Sequence, residues 1–387
     1  MKILVIGGYG NFGKRLVKSL LEYSSHEIII AGRSIERAEE TASSLREEFG
    51  KTVSIARLDV LSTELNIAII TQDPDIVINA SGPYHFQLKE IQEQDDRSNY
   101  RLARACLLAQ CHYIDLADNR DFVSHFADSL NTQAKQLGLM LVTGASTVPS
   151  LTDAVIQHFL PQFSDLTSIN YGISPGNRTE RGKATIASIL SYTGKTFKTL
   201  KNGRFESVYG WQDLSRYDFG GPIGTRWMSN CDIPDLDLLP AKYPSLKSVK
   251  FQAGLEVSIL HLGLWFLSFF TRVGMVKNWS RYASLLTYMS EWFSSLGSDS
   301  GGMFIELVGQ EHNGSPKTIK WQLVAEDGVG PNVPIISALI LIRKIAENKL
   351  EAGAQACMGL FDLDEFFEIA DRWSIYQKTD KEEINNG

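Results

Sequence analysis

Apolar and polar positions alternate along the first part of the chain in a way that separates strands from helices. Lys2–Ile6 carries the unbroken apolar run Ile3-Leu4-Val5-Ile6, the pattern of a strand covered on both faces. Asn11–Tyr23 instead places Phe12, Leu16, Val17, Leu20 and Leu21 at helical spacing. A second strand is predicted at Glu27–Ala31, followed by a charged surface helix over Ile35–Phe49 that Gly50 stops. Val53–Arg57, Ile76–Asn79, His112–Leu116 and Leu139–Val142 read as further strands. Crossover helices are expected within Thr63–Thr71, Tyr100–Gln110 and Phe122–Leu137. Six apolar strands alternating with helices predict an α/β fold with a doubly wound parallel sheet.

Past Thr143 the pattern changes. Leu151–Leu160 has helical spacing, and Ser168–Ile173 alternates as a strand does. Asn202-Gly203 and Asn313-Gly314 are type I′ turn dipeptides, and the second lies between Phe304–Val308 and Thr318–Val324, an expected antiparallel hairpin. These features predict a second, α+β domain for substrate binding or dimerisation. The expected division is 1–145, 146–330, and a helical segment over 331–377. Pro334–Lys349 within that segment is apolar almost all round and should be buried; the charged residues from Lys378 onward should fray.

Val257–Thr271 reads VSILHLGLWFLSFFT, with no Asp, Glu, Lys or Arg. At fifteen residues it is shorter than the roughly 20 that a spanning helix needs. Three fates are open to it: domain core, subunit interface or contact with a bilayer surface. The reading adopted at this point is burial in a homodimer, with peripheral membrane contact as the alternative. Trp279, Trp292, Arg272, Lys277 and Arg281 nearby suit the alternative.

Length and charge narrow the function. At ~150 residues per domain, 387 residues make two domains, or one with a large insertion. A net charge of −7 lacks the basic excess that phosphate-backbone binding requires, so nucleic acid is not an expected partner. Four cysteines without a C-x-x-C pair form no disulfide framework and no metal knuckle. The opening apolar run stops at Gly7, short of the ~7–15 residues of a secretory leader. A reducing, cytoplasmic setting is expected.

Gly8-Tyr9-Gly10-Asn11-Phe12-Gly13 is a G-x-G-x-x-G motif directly after a predicted strand and opening a predicted helix. That context asks for a tight turn at Gly8, backbone approach to a pyrophosphate at Gly10, and close helix–strand packing at Gly13. The competing nucleotide P-loop fails, because Arg15 stands where Ser or Thr must hold magnesium. At the end of the second strand, Ala31-Gly32-Arg33-Ser34 has no carboxylate until Glu36, and a guanidinium with a hydroxyl suits the 2′-phosphate of NADP. Asp59-Val60 falls where an adenine ring packs. Ala80-Ser81-Gly82-Pro83-Tyr84 falls where backbone approaches a nicotinamide. No Tyr-x-x-x-Lys pair and no H-E-x-x-H occurs, and the scattered histidines support no metal site.

Several segments together resemble the saccharopine dehydrogenase-like oxidoreductases. They are Gly7–Gly13, Ala31–Ser34, Ala80–Tyr84, Tyr113–Phe122, Thr143–Leu151, Ser298–Met303, Gly328–Pro334 and Gly353–Gly359. The resemblance implies an N-terminal Rossmann domain, a substrate domain inserted after it, and a C-terminal helix packing back. It does not give the substrate, since members act on amino acids, polyamine precursors or lipid-linked enoyl groups. Leu88–Asn99 departs from that pattern by being longer and more acidic.

Hydride transfer also needs a proton donor, and Tyr84 and Asp118 follow strands at the ligand-binding end of such a sheet. Each has a purely structural alternative: Tyr84 packing on Pro83, and Asp118 capping a helix that begins near Asp121. Arg178, Arg181 and Lys183 could hold a substrate carboxylate or form a solvated face. The expected function is an NADP-dependent oxidoreductase; the alternative is a non-catalytic NADP-binding redox sensor or membrane-associated scaffold.

Overall fold

The computed structural model describes residues 1–84, 99–180 and 182–382, so most of the acidic Leu88–Asn99 segment, and Arg181, lie outside the described residues. The chain divides into two compact units. Met1–Leu151 and Asn332–Phe361 form the first; Thr152–Pro331 and the residues from Asp362 onward form the second. The segment expected over 331–377 is therefore split at Phe361 between the two.

In the first unit, β1 (Lys2–Ile6), β2 (Glu27–Gly32), β3 (Val53–Arg57), β4 (Ile76–Asn79), β5 (His112–Asp115) and β6 (Met140–Thr143) lie in the order β3-β2-β1-β4-β5-β6, all parallel. Ile3, Leu4, Val5, Ile28, Ile30, Ile76 and Val77 are buried, which is why these strands read as continuous apolar runs. The crossovers are α1 (Asn11–Tyr23), α2 (Ile35–Phe49), α3 (Leu65–Gln72), α4 (Arg101–Ala109), α5 (Arg120–Ser124) and α6 (Phe126–Leu137). The single helix expected over Phe122–Leu137 is thus two, parted at His125, whose ψ of 3° leaves the helical range.

A seventh strand, Gly353–Ala356, extends the sheet beyond β6. Its sequence, Gly-Ala-Gln-Ala, has no apolar signal to read. The helix Val333–Ala346 belongs to this unit and buries Ile335, Ile336, Leu339, Ile340, Leu341, Ile342 and Ile345, as its all-round apolar pattern predicts.

The second unit holds a mixed sheet with β7 (Asp165–Ser174) at its centre. β12 (Ser248–Ala253) pairs parallel on one side of β7, and β13 (Gly301–Gln310) pairs antiparallel on the other. β10 (Ser215–Asp218), β11 (Thr225–Asn230), β14 (Pro316–Ala325) and a last strand, Ile375–Glu382, complete the order β10-β11-β12-β7-β13-β14-last. Asn202-Gly203 joins β8 (Thr196–Lys201) to β9 (Arg204–Tyr209) with φ of 50° and 79°, the type I′ signature. The hairpin of β13 and β14 is also present, but its connection runs from Glu311 to Ser315 and only Gly314 is left-handed, at φ 84°. That loop is too long for a type I′ turn, and it closes through the Glu311 amide on the Ser315 carbonyl at 2.8 Å.

One expectation fails here, and one of the three fates left open is removed. The end of the chain does not fray at Lys378: Ile375–Glu382 pairs along β14, from Ile375↔Ala325 to Glu382↔Thr318. An edge strand is held by its backbone ladder and tolerates charged side chains, so composition concealed it. Nor is the apolar Val257–Thr271 run core. It forms α10 (Ser258–Arg272), in which only His261 and Ser268 are buried. His261 bonds Ser229 Oγ through Nε2 at 2.9 Å and accepts the Leu255 amide through Nδ1 at 3.2 Å. Polar residues anchor this helix, and Ile259, Leu262 and Phe266 face outward. Among the described residues no helix is long and apolar enough to cross a membrane.

Candidate functional site

The order β3-β2-β1-β4-β5 makes the carboxyl ends of β1 and β4 the point where the chain reverses direction across the sheet, the place where such sheets bind ligands. Two loops meet there. The Gly7 amide donates to the Ala31 carbonyl at 2.8 Å, and the Ala80 amide to Ile6 at 2.9 Å, fastening both loops to neighbouring strands. Gly7 is left-handed at φ 77°, and a Cβ on it would lie 2.9 Å from the Ala80 carbonyl oxygen. A Cβ on Gly13 would lie 2.2 Å from the Gly7 oxygen, so α1 crosses β1 at a distance only glycine permits.

This crossing brings the start of α1 to the sheet's reversal point. Gly10 is its N-cap, no side chain caps it, and no acidic residue stands in its first turn. The first intrahelical bond of the turn is Lys14 N–H to the Gly10 carbonyl, so the amides of Asn11, Phe12 and Gly13 precede any helical acceptor. Side chains cap α2 (Ser34), α5 (Asn119) and Leu363–Ala370 (Asp362), whereas α3, α4 and α6 start uncapped as α1 does, so its place in the sheet and its glycines set α1 apart. An uncapped, glycine-hinged helix start at the sheet's reversal point fits a pyrophosphate.

The end of β2 is built by residues that the motif alone did not single out. Tyr9, the variable position between Gly8 and Gly10, lays its ring over Gly32; a Cβ on Gly32 would come within 2.4 Å of it. Its hydroxyl accepts the Ser34 amide at 3.1 Å, and the Arg37 guanidinium stacks 4.8 Å from its centroid. Arg33 and Arg37 are both exposed, so two guanidiniums border the turn where one was expected. Ser34 differs from expectation. Its hydroxyl caps α2 by accepting from the Arg37 amide at 3.3 Å, and it donates to Glu36 Oε2 at 2.8 Å. Asp59 is exposed past the end of β3, its carboxylate accepting the Leu61 amide at 3.0 Å, and Val60 is half-buried beside it.

After β4, the buried Asn79 shapes the next turn. Its Oδ1 accepts from the Ser81 amide at 3.1 Å and the Ser81 hydroxyl at 2.6 Å, while Nδ2 donates to Tyr113 Oη at 3.2 Å. This holds Ala80, Ser81 and Gly82 beside the glycine loop; the Gly82–Pro83 peptide is cis. Tyr84 is buried against Phe122, 5.6 Å between centroids, and its hydroxyl donates to the Asn79 carbonyl at 2.8 Å. Burial, with Asp115 and Asp118 nearby, pushes its pKa well above the usual phenol range. The phenol is thus committed to the backbone and weakened as an acid.

Asp118 is exposed, and it is not a cap: Asn119 caps α5, accepting the Phe122 amide at 3.0 Å. Asp115, three residues earlier, is fully buried at the end of β5. Its Oδ1 accepts from the amides of Ala117 and Gly144 and from the Thr143 hydroxyl, all within 2.8–2.9 Å, which stitches the end of β5 to the end of β6. Burial raises its pKa to about 6. Arg178, in the second unit, donates from Nη2 to the Ser295 carbonyl at 2.8 Å. Among the described residues no cluster of His, Cys, Asp and Glu could hold a metal ion.

Comparison with known proteins bears on the same region. Residues 3–142 match the family model of the saccharopine dehydrogenase NADP binding domain. No curated protein matches the sequence significantly. Among solved structures, apo saccharopine dehydrogenase (L-Glu forming) from Saccharomyces cerevisiae is similar over 99% of this chain and 100% of its own, with a TM-score of 0.65 and 13% identity. L-Sorbose reductase from Gluconobacter frateurii, complexed with NADPH and L-sorbose, matches over 30% of this chain and 51% of its own, at 21% identity and a TM-score of 0.24. A short chain dehydrogenase from Mycobacterium smegmatis matches over 37% and 74%, at 20% identity and a TM-score of 0.30. The whole chain therefore shares the fold of that saccharopine dehydrogenase, and residues 3–142 carry the match to the saccharopine dehydrogenase NADP binding domain.

Proposed function

We propose that the chain is an NADP-dependent oxidoreductase acting on a C=N, C=O or C=C substrate. The observation that carries this reading is the uncapped start of α1 at the sheet's reversal point, bordered by Arg33 and Arg37. The bound nicotinamide supplies or accepts hydride. The chain's own part is to hold the pyrophosphate on the amides of Asn11, Phe12 and Gly13, and to neutralise the 2′-phosphate with the two arginines. Asn79 fixes the turn of Ala80, Ser81 and Gly82, which would hold the nicotinamide. With Tyr84 tied to a carbonyl, Asp118 is the better-placed of the two proton-donor candidates, being exposed beside the carboxyl end of β5. Four buried cysteines, none in a disulfide, suit a reducing cytoplasmic setting.

The test is NADPH oxidation by the full chain against panels of imino acids, 2-oxo acids and enoyl lipids. Turnover with one class, lost in Asp118→Asn while NADPH still binds, supports the assignment. The commitment of Tyr84 to the backbone favours a second reading, a non-catalytic NADP-binding sensor or scaffold. Tight NADPH binding with no turnover in any panel supports that one instead.

Cofactor choice gives a separate expectation. Arg33→Asp removes one charge-assisted phosphate contact and adds repulsion. Loss of ~1.5–3 kcal/mol is roughly a ten- to hundredfold weaker NADPH affinity. The NADPH:NADH preference should invert in calorimetric titrations of this variant. An unchanged ratio counts against Arg33 as a phosphate ligand.

A further inference from the structure

The surface that α10 and the following helix present has no counterpart in the chemistry so far. Of the nineteen large apolar side chains exposed among the described residues, eleven lie between Ile259 and Leu296. They are ordered. On α10, Ile259, Leu262, Phe266 and, just past its end, Val273 follow helical spacing. On α11 (Ala283–Glu291) and its extension, Leu285, Tyr288, Met289, Trp292 and Leu296 do the same. Stripes of this kind ordinarily face a core, yet Phe266 is 57% exposed, Trp292 67% and Met275 72%.

The surface is formed rather than frayed. Trp279 Nε1 donates to the Leu267 carbonyl at 3.1 Å and its ring meets Phe270 edge-on. The turn Trp279–Tyr282 and α11 pack on α8 (Lys183–Tyr192), and Tyr288 and Trp292 meet at 5.9 Å. Inward, α10 is pinned by polar residues: His261 on Ser229, and Ser268 bonded to Gln212.

Charge identifies the occupant. Residues 257–293 contain Arg272, Lys277 and Arg281 against a single acid, Glu291, in a chain whose net charge is −7. None of the three cations pairs with a carboxylate among the described residues; Arg272 stacks on Tyr209 at 4.6 Å. A two-fold interface would enclose the three cations of each copy with only Glu291 per copy to pair them. Anionic headgroups complement them, and Tyr282, Tyr288 and Trp292 are the amphipathic rings that a headgroup boundary accepts. We infer that the α10–α11 face is a monotopic docking surface for an anionic lipid bilayer, the apolar stripes entering the acyl boundary and the cations meeting the headgroups.

The experiment is flotation of the full chain with phosphatidylcholine vesicles, with and without a minority of phosphatidylglycerol, alongside light scattering in the absence of lipid. The wild type should float with the anionic vesicles, less well with neutral ones, and less as salt rises. Phe266→Glu with Trp292→Glu should abolish flotation, both sites being exposed and outside the cofactor loops; wild-type circular dichroism and an unchanged thermal melt report that the variant is folded. Lys277→Ala with Arg281→Ala should lower partitioning to anionic vesicles roughly thirtyfold, at ~1 kcal/mol per cation. Wild-type protein that stays with the lipid-free fraction overturns the proposal, and a dimer in scattering then makes a second copy the occupant. Flotation unchanged in Phe266→Glu with Trp292→Glu also overturns it.

Discussion

Gly13→Ala is expected to weaken NADPH binding by two orders of magnitude or more and to lower the melting temperature of the chain. Its Cβ would stand 2.2 Å from the Gly7 oxygen and 2.8 Å from the Gly7 carbonyl carbon and Gly8 Cα, all backbone atoms with no rotamer to yield. Relief requires α1 to move off β1. Overpacking of this kind costs ~1–3 kcal/mol or more in stability. It also shifts the amides of Asn11 and Phe12 away from the pyrophosphate, and a hundredfold loss is about 3 kcal/mol. Gly10→Ala is the milder change for stability alone, its Cβ lying 3.0 Å from the Gly7 oxygen, although it too stands where the pyrophosphate would approach. Calorimetry and thermal melts on both variants check this. Wild-type affinity in Gly13→Ala would remove the close crossing from the account of binding.

The second large effect is on stability against pH, and it arises in the second unit. Asp153, at the start of α7 (Thr152–Phe159), and Asp235, the first residue of α9 (Asp235–Lys242), are both fully buried. Asp153 is satisfied by Lys242 Nζ and Tyr243 Oη, each at 2.7 Å. Neither oxygen of Asp235 meets a donor in good geometry. Burial first, and the charge of Asp153 after it, raise the Asp235 pKa from 3.8 to about 7, against a moderating pull from the nearby Thr152 and Tyr171 hydroxyls.

Because the folded pKa lies above the unfolded one, folding takes up a proton between them. The contribution is complete below pH ~4 and is lost as pH rises through about 7. At ~1.4 kcal/mol per unit, the loss is on the order of 4 kcal/mol. Asp115, raised to about 6, adds in the same direction, while the lowered pKa of the buried His261, about 4, opposes at the acid end. The difference between wild type and Asp235→Asn isolates the one group. The variant should gain stability relative to wild type as pH goes from 5 to 8 in urea unfolding, and parallel pH profiles would contradict this reading of Asp235.

What the sequence disclosed, and what it withheld, follows from where each signal resides. β1, β2 and β4 were legible because both faces are covered, so every side chain in the run is apolar. Gly353–Ala356 and Ile375–Glu382 were not, since each sits at a sheet edge where the backbone ladder alone does the holding. The glycines of the cofactor loop were legible as a motif because the close approach admits no other residue. Tyr9 and Arg37 belong to the same site but occupy positions the motif leaves variable, so only the fold brings them onto Gly32. Ser34 was identified as a polar group without its engagement by Glu36, which depends on the cap geometry of α2. For α10 the composition announced an apolar helix, but its orientation is decided by His261 and Ser268, two residues that the pattern marks as interruptions.

The most direct measurement of the central claim is hydrogen exchange across the full chain with NADPH, with NADH and with neither. NADPH should slow exchange in the segment 8–14, in 33–37 and in 80–82, with 33–37 protected more strongly by NADPH than by NADH because only NADPH carries the 2′-phosphate. Protection confined to other segments, or equal protection of 33–37 by both cofactors, would contradict an NADP site built on the start of α1 and the end of β2.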